Sequence, residues 1–208
     1  TDRDGATALD EGRARSGPGY RALRDAVSEL LAGDTQHAGA LLGPFGIRFV
    51  VAAEGDLPAA ALSRLGEQLD INRVPAGGLT IFRNSAELPT AFVASNAPVP
   101  DEPDPALLEE SPPADVTPLA GGGERWSGVA PQAGHVVVTE QFDVGWRIQS
   151  GGERIVPFPG FGWAIAGAVD AGDVAVEYTR QWVRAAELMV LALLWTAALW
   201  ITRKPGSA

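Results

Sequence analysis

From His135 to Tyr178 the chain reads HVVVTEQFDVGWRIQSGGERIVPFPGFGWAIAGAVDAGDVAVEY, and this stretch decides the fold. Short runs rich in Val, Ile and aromatic residues recur here: His135–Glu140, Trp146–Gln149, Arg154–Val156, Trp163–Ala166 and Val174–Tyr178, with Arg125–Val129 just before them. Between them stand Pro131–Gly134, Ser150–Gly152, Pro157–Gly160 and Asp170–Asp173. Gly supplies positive φ and Pro presets a bend, so such clusters punctuate strands. Many short strands joined by Gly/Pro turns predict a β-sandwich of jelly-roll type over residues 124–180.

Upstream the character changes. Residues 97–123 hold seven prolines and six acids up to and including Pro118, no Lys or Arg, and then Gly121–Gly123, the composition of a solvated, semi-extended linker or of an acidic docking strip. Before it, residues 20–96 read as a small α/β module. Helices are expected over Tyr20–Leu31, Gln36–Leu42 and Leu57–Leu69, the last opened by Asp56 and Pro58. Strands are expected over Ile47–Ala53, Leu69–Val74, Leu79–Arg83 and Ala91–Ala94. About 75 residues is near the lower limit for an independent core, so the module is expected to lean on a neighbour. Residues 1–19, polar and Gly-rich, read as a flexible lead-in. The fold class is therefore α+β, the module preceding the sandwich.

The chain closes with LMVLALLWTAALWIT, Leu188–Thr202, followed at once by Arg203 and Lys204. Extended to 182–202, the segment would be about 31 Å long as a helix, enough for a hydrocarbon core of about 30 Å. Trp182 and Trp200 stand near its two ends, as interfacial aromatics do. A buried core helix is the competing reading, since Arg184 and Glu187 interrupt the first third. The segment is apolar all round, which a soluble domain would have to bury on every side. A transmembrane helix over 182–202 is expected, in contact with a lipid bilayer. Its basic flank would lie in the cytoplasm and the rest of the chain would be extracytoplasmic at the cell membrane. The start at Thr1, without a signal-like segment, is expected to mark a C-terminal piece of a longer membrane protein.

Composition narrows the chemistry. With no cysteine there is neither a disulfide framework nor a thiolate. Two histidines, His37 and His135, lie far apart, so no His-rich metal site is expected. A net charge of −10 argues against nucleic acid, whose affinity rests on Lys and Arg. Gly77-Gly78 and Gly121–Gly123 match no phosphate-binding loop, and no cofactor is expected.

Tryptophan carries the binding hypothesis. Trp126, Trp146 and Trp163 fall within the expected sandwich, where an indole either fills the core or offers a platform for a sugar. Trp146 and Trp163 sit inside strands, which favours core; Trp126, near an element end, is freer to face solvent. Asp143 is the nearest polar partner. Glu140, Asp143, Glu153, Asp170, Asp173 and Glu177 supply carboxylates, but nothing in their spacing singles out a glycosidase-like pair, and no catalytic residue is assigned.

The passage QFDVGWRIQSGGERIVPFPGFGWAIAGAVDAGDVAVEYTRQW (141–182) resembles the C-terminal ending of YfhO-type bacterial membrane proteins. The matching positions are Phe142, Gly145-Trp146, Gly151-Gly152, Phe161–Ala164, Gly172 and Val176–Tyr178. LLGPFGIRFVVA (Leu41–Ala52) and RVPAGGLTIFRNSAELP (Arg73–Pro89) are similar to the α/β segment before that sandwich. A similar tail closes large multi-span glycosyltransferase-like proteins of high-GC bacteria, some with a family 2 glycosyltransferase domain. The long acidic join at 97–123 departs from that pattern, and no Asp-x-Asp motif is present. The resemblance implies catalysis in an upstream membrane domain of the same protein, with sugar carried on a nucleotide or a polyprenyl phosphate. This region would then be a non-catalytic cap holding an envelope glycan acceptor. The alternatives are a protein-interaction module without sugar specificity and an independent glycosidase.

Overall fold

The computed structural model describes residues 17–202, apart from 54, 56, 57, 76, 96, 103, 114 and 180. The expected lead-in at 1–19 lies almost wholly outside the described residues.

Helix α1, Pro18–Ala32, opens on a proline whose fixed φ suits the first helical turn and stops at Gly33, left-handed with φ 80°. Helix α2 (Ala38–Leu42) runs into a 3-10 turn, Gly43–Phe45. Strand β1 (Phe49–Ala53), helix α3 (Ala59–Glu67), strand β2 (Ile71–Val74) and strand β3 (Leu79–Asn84) complete the first layer. Its sheet has the order β1-β3-β2 and is antiparallel throughout. Phe82, Ile71 and Leu65 pack there with Leu30 and Leu42 in a small core. Pro58 rather than Asp56 caps α3, and Asp56 lies outside the described residues.

The remaining elements are β4 (Ala91–Ser95), α4 (Pro105–Glu110), β5 (Asp115–Pro118), β6 (Ala120–Gly122), β7 (Arg125–Ala130), β8 (Gly134–Gln141), β9 (Trp146–Ser150), β10 (Glu153–Ile155), β11 (Phe158–Gly160), β12 (Ala164–Val169), β13 (Gly172–Tyr178) and α5 (Gln181–Thr202). Two five-stranded antiparallel sheets, β11-β12-β8-β4-β5 and β10-β9-β13-β7-β6, face one another as a β-sandwich. Period-2 alternation sends Val93, Val136, Val138 and Ile165 from the first sheet against Trp126, Ile148, Val174 and Val176 from the second. Each such aliphatic side chain, fully withdrawn from water, contributes about 1.5–3 kcal/mol.

The first sheet is buried on both faces. Phe92, Ala94, Val137, Ala164 and Ala166 point away from the sandwich interior into a second cluster, against which Ala22 of α1, Phe45 and Leu108 of α4 pack. The helices therefore lie on the outside of one sheet, and the α/β module does lean on the sandwich.

Three expectations need correction. Strand β4 pairs with β8 and β5, so it belongs to the sandwich and not to the α/β module. The supposed linker at 97–123 contributes α4, β5 and β6, because its backbone groups find partners in both sheets. The jelly-roll order does not form: β6-β7, β9-β10 and β11-β12 are in-sheet hairpins, and β4 pairs with β5 across the connection that holds α4.

At the C-terminus, α5 is 22 residues long, about 33 Å at roughly 1.5 Å per residue. Among the described residues, however, no helix is long and apolar enough to cross a membrane, so the transmembrane helix expected at 182–202 is not shown. Side chains from Leu188 to Leu199 are all exposed, Leu193 at 68%. Those of Trp182, Arg184, Glu187 and Trp200 lie outside the described residues.

Candidate functional site

Where α1 and α4 meet the turn between β11 and β12, a cavity of about 530 Å³ opens. Its size falls within the range of small-molecule sites. Positions 18, 21, 22, 25, 26 and 29 of α1 share the helical face that lines one wall, being three and four apart. Helix α4 forms the opposite wall through Asp104, Pro105 and Leu108. Asp104 caps α4, its side chain accepting from the Leu107 N–H at 3.0 Å, and Pro105 takes the first turn.

The floor comes from the sandwich. Phe161 has φ 53°, in the left-handed region a bulky side chain avoids at a cost of about 1–2 kcal/mol. Hydrogen bonds hold it there: the Phe161 N–H donates to the Pro100 carbonyl at 2.6 Å, and the Trp163 N–H donates to that of Gly160 at 3.1 Å. Backbone strain of this kind concentrates at functional sites. The turn buries Phe161 and Trp163 beside the cavity. The Trp163 indole stacks on Phe45, centroids 4.9 Å apart and rings 4° from parallel. At Gly19 an added Cβ would lie 2.9 Å from the indole Cε3, so the α1 backbone covers part of the ring.

Polar groups are few and specific. Trp163 is only 7% exposed, and its Nε1 is buried without a hydrogen-bond partner among the described residues. Leaving such a donor unmet costs about 1–3 kcal/mol. Asp25, Glu29 and Asp104 line the cavity against one cation, Arg21. The Glu29 carboxyl is held above its ordinary value of 4.5 by burial first, then by the charges of Glu109, Asp34 and Asp25. Among the described residues no three His, Cys, Asp or Glu side chains cluster so as to hold a metal ion.

Of the residues expected to bind glycan, Trp163 alone reaches this cavity. Trp126 and Trp146 are 4% and 7% exposed and sit in the sandwich core, 5.8 Å apart. Trp126 is thus not a solvent-facing platform: the alternation of β7 turns Trp126 and Ala130 inward and Arg125, Ser127 and Val129 outward. Asp143 does lie beside Trp146, in a shallow polar depression with Tyr178, Glu124 and Glu140. Its Oδ1 is engaged, accepting from the Gly145 N–H at 2.7 Å and the Tyr178 hydroxyl at 3.4 Å. Sequence reasoning missed Phe45, Phe161, Asp25, Glu29 and Asp104. The Asp104-Pro105 pair was a readable helix start, masked by the acidic run around it.

No family model matches the chain, and no curated protein matches it significantly. Among solved structures it is similar to the arabinofuranosyltransferase AftD from Mycobacteria, seen by single-particle cryo-EM, with a TM-score of 0.35 and 20% identity. The match covers 58% of this chain and 8% of that one. A likeness this loose fixes neither fold nor activity.

Proposed function

We propose that this chain is the extracytoplasmic, non-catalytic C-terminal region of a membrane-embedded glycosyltransferase of cell-envelope polysaccharide assembly, and that the Trp163 cavity contacts the glycan acceptor. The observation that carries this reading is the make-up of the cavity. Apolar walls from Leu41, Pro44, Phe45 and Leu108 suit the C–H face of a sugar, and the carboxylates suit its hydroxyls. The sequence resemblance supplies the protein class. A polyprenyl phosphate linked to the sugar would place its phosphate outside the cavity, since carboxylates repel it. Helix α5, with Leu191 and Trp195 among its exposed side chains, is proposed as the membrane contact, its basic flank cytoplasmic.

The test is a calorimetric titration of the full chain, in detergent, with fragments of envelope polysaccharides. Saturable binding that Phe45→Ala weakens, in a chain that circular dichroism shows still folded, is the expected result. Silence across the fragments would end the glycan reading.

A second reading is favoured by the outer face of the β1-β3-β2 sheet, where Phe49, Val51 and Leu79 are exposed at 48%, 57% and 44%. Adjacent apolar exposure of this kind marks protein contact sites. Under that reading the chain is a protein-interaction module, and the upstream membrane domain of the same protein is its partner.

A further inference from the structure

We propose that strand β1 is the docking edge for a second copy of this chain, the two β1 strands pairing antiparallel about a two-fold axis through Val51. The inference is independent of the glycan reading and of the cavity that carries it.

Backbone geometry shows that the edge is open. Strand β1 stands at the end of its sheet, with β3 on one side only. The Asn84 N–H donates to the Arg48 carbonyl at 2.8 Å, and residues opposite one another in an antiparallel pair alternate between bonded and non-bonded. Val50 and Ala52 therefore bond to Phe82 and Thr80, while the N–H and C=O groups of Phe49, Val51 and Ala53 point away from β3. On its other side β3 keeps the complementary alternation, the Ser85 N–H donating to the Asp70 carbonyl at 2.8 Å beside β2. Among the described residues, no hydrogen bond reaches Phe49 or Val51 from the open side. Edge strands are ordinarily blunted by a charge, a proline or a bulge. FVVAA carries none of these, and its register with β3 is unbroken.

Sequence identifies the occupant. From Arg48 to Glu54 the chain reads RFVVAAE, with a cation at one end and an acid at the other. Antiparallel pairing through Val51 sets Arg48 opposite Glu54 of the second copy, Phe49 opposite Ala53, Val50 opposite Ala52 and Val51 opposite itself. The two-fold axis makes each unlike match twice, as an isologous contact requires. Opposite charges and large-against-small apolar pairs are the favourable cross-strand combinations. In this register the pairs at Phe49, Val51 and Ala53 are the hydrogen-bonded kind, so the groups that β3 leaves open are the ones that the second copy meets. Arg48 is placed to take part: its Nε contacts Glu87 Oε2 at 3.1 Å, yet its side chain stays 58% exposed. A foreign strand would have to bring its own acid to that end, and a second copy already has it.

The chain has no cysteine, so a single introduced thiol reports one position. Val51→Cys in the full chain, with detergent micelles in excess over protein, is treated with a short bis-maleimide. Val129→Cys on β7 is the control, since Val129 is 58% exposed against 57% for Val51. Cross-linked dimer from Val51→Cys and none from the control is the expected result. In the Val51→Cys background, Arg48→Glu and Glu54→Arg each oppose like charges at both ends of the pairing. Each should raise the concentration that gives half cross-linking about tenfold, in a chain that circular dichroism shows still folded. Mixed in equal amounts, the two reversals face one another with opposite charges again, and cross-linking should recover. Cross-linking equal at the two thiols, absent from both, indifferent to the reversals or not recovered in the mixture overturns the proposal.

Discussion

Replacing Asn84 with alanine should loosen the α/β layer where α2 and the start of β1 meet the end of β3. Asn84 ends β3 at 1% exposure and makes three hydrogen bonds of 2.9 Å each. Its Nδ2 donates to the carbonyls of Gly39 and Ile47, and its Oδ1 accepts from the Ala86 N–H. Alanine supplies none of these, so two carbonyls and one N–H are left unmet. An unmet buried group costs about 1–3 kcal/mol, and carbonyls retain a second lone pair, so the low end of that range applies. Three such groups give a loss of about 3 kcal/mol. For a protein of this size, that lowers the thermal midpoint by about 6–12 °C. Neighbouring bonds do not compensate: Asp70 holds the N–H groups of Gly39 and Ala40, and an added Cβ at Gly39 would lie 2.7 Å from the Asp70 Cγ, so α2 has no slack to repack. Because α2 leads into the turn that bears Phe45, sugar binding should weaken along with stability. Urea and thermal melts followed by circular dichroism provide the measurement, with Asn72→Ala on the exposed side of β2 as the control. A loss below about 1 kcal/mol, with Asn72→Ala equal to it, would refute the account of Asn84 as the latch.

Three further outcomes follow from other parts of the molecule. Leu191→Arg, in the exposed apolar stretch of α5, should cost membrane partitioning about 3 kcal/mol, read as a roughly hundredfold loss of vesicle binding in a flotation assay; unchanged flotation would detach α5 from lipid. Gly134→Ala should destabilise the sandwich by about 1–3 kcal/mol in urea melts, because a Cβ there would meet the backbone of β4 near Ala94; a neutral result would mean that the β4–β8 pairing is not formed. Glu29 has its folded-state value raised above 4.5, so in the pH window just above 4.5 the folded chain binds more protons than the unfolded one and stability falls as pH rises. Glu29→Gln should flatten that fall in melts run across the window, and an unchanged slope would contradict the crowding at α1.

Local pattern made most of the elements legible, and what it missed has a physical reason. Strands such as Trp146–Ser150 and Gly172–Tyr178 were readable because one face is buried and Gly turns bracket them. Strand β4, Ala91–Ser95, was readable as a strand but not as a member of the sandwich. Its residues are buried on both faces, the mark of a middle layer, and only the tertiary ladder to β8 identifies its sheet. Asp115–Pro118 and Ala120–Gly122 carry composition that favours a loop, and edge pairing overrides it. For the site, Trp163 was legible as an aromatic of interest. Phe45, Glu29 and Asp104 come to it from three separate parts of the chain, and no spacing rule joins them.

The last strand of the chain is the middle strand of its sheet. Strand β13 lies between β7 and β9, with six registered pairs on one side and five on the other, and α5 begins three residues after it. A pull transmitted through α5 would load β13 in shear along both ladders at once, where a terminal edge strand would peel away one bond at a time. During synthesis the same placement leaves β7 and β9 without a shared neighbour until β13 itself has been made. The sandwich is thus mechanically firm where α5 joins it, and its second sheet closes late.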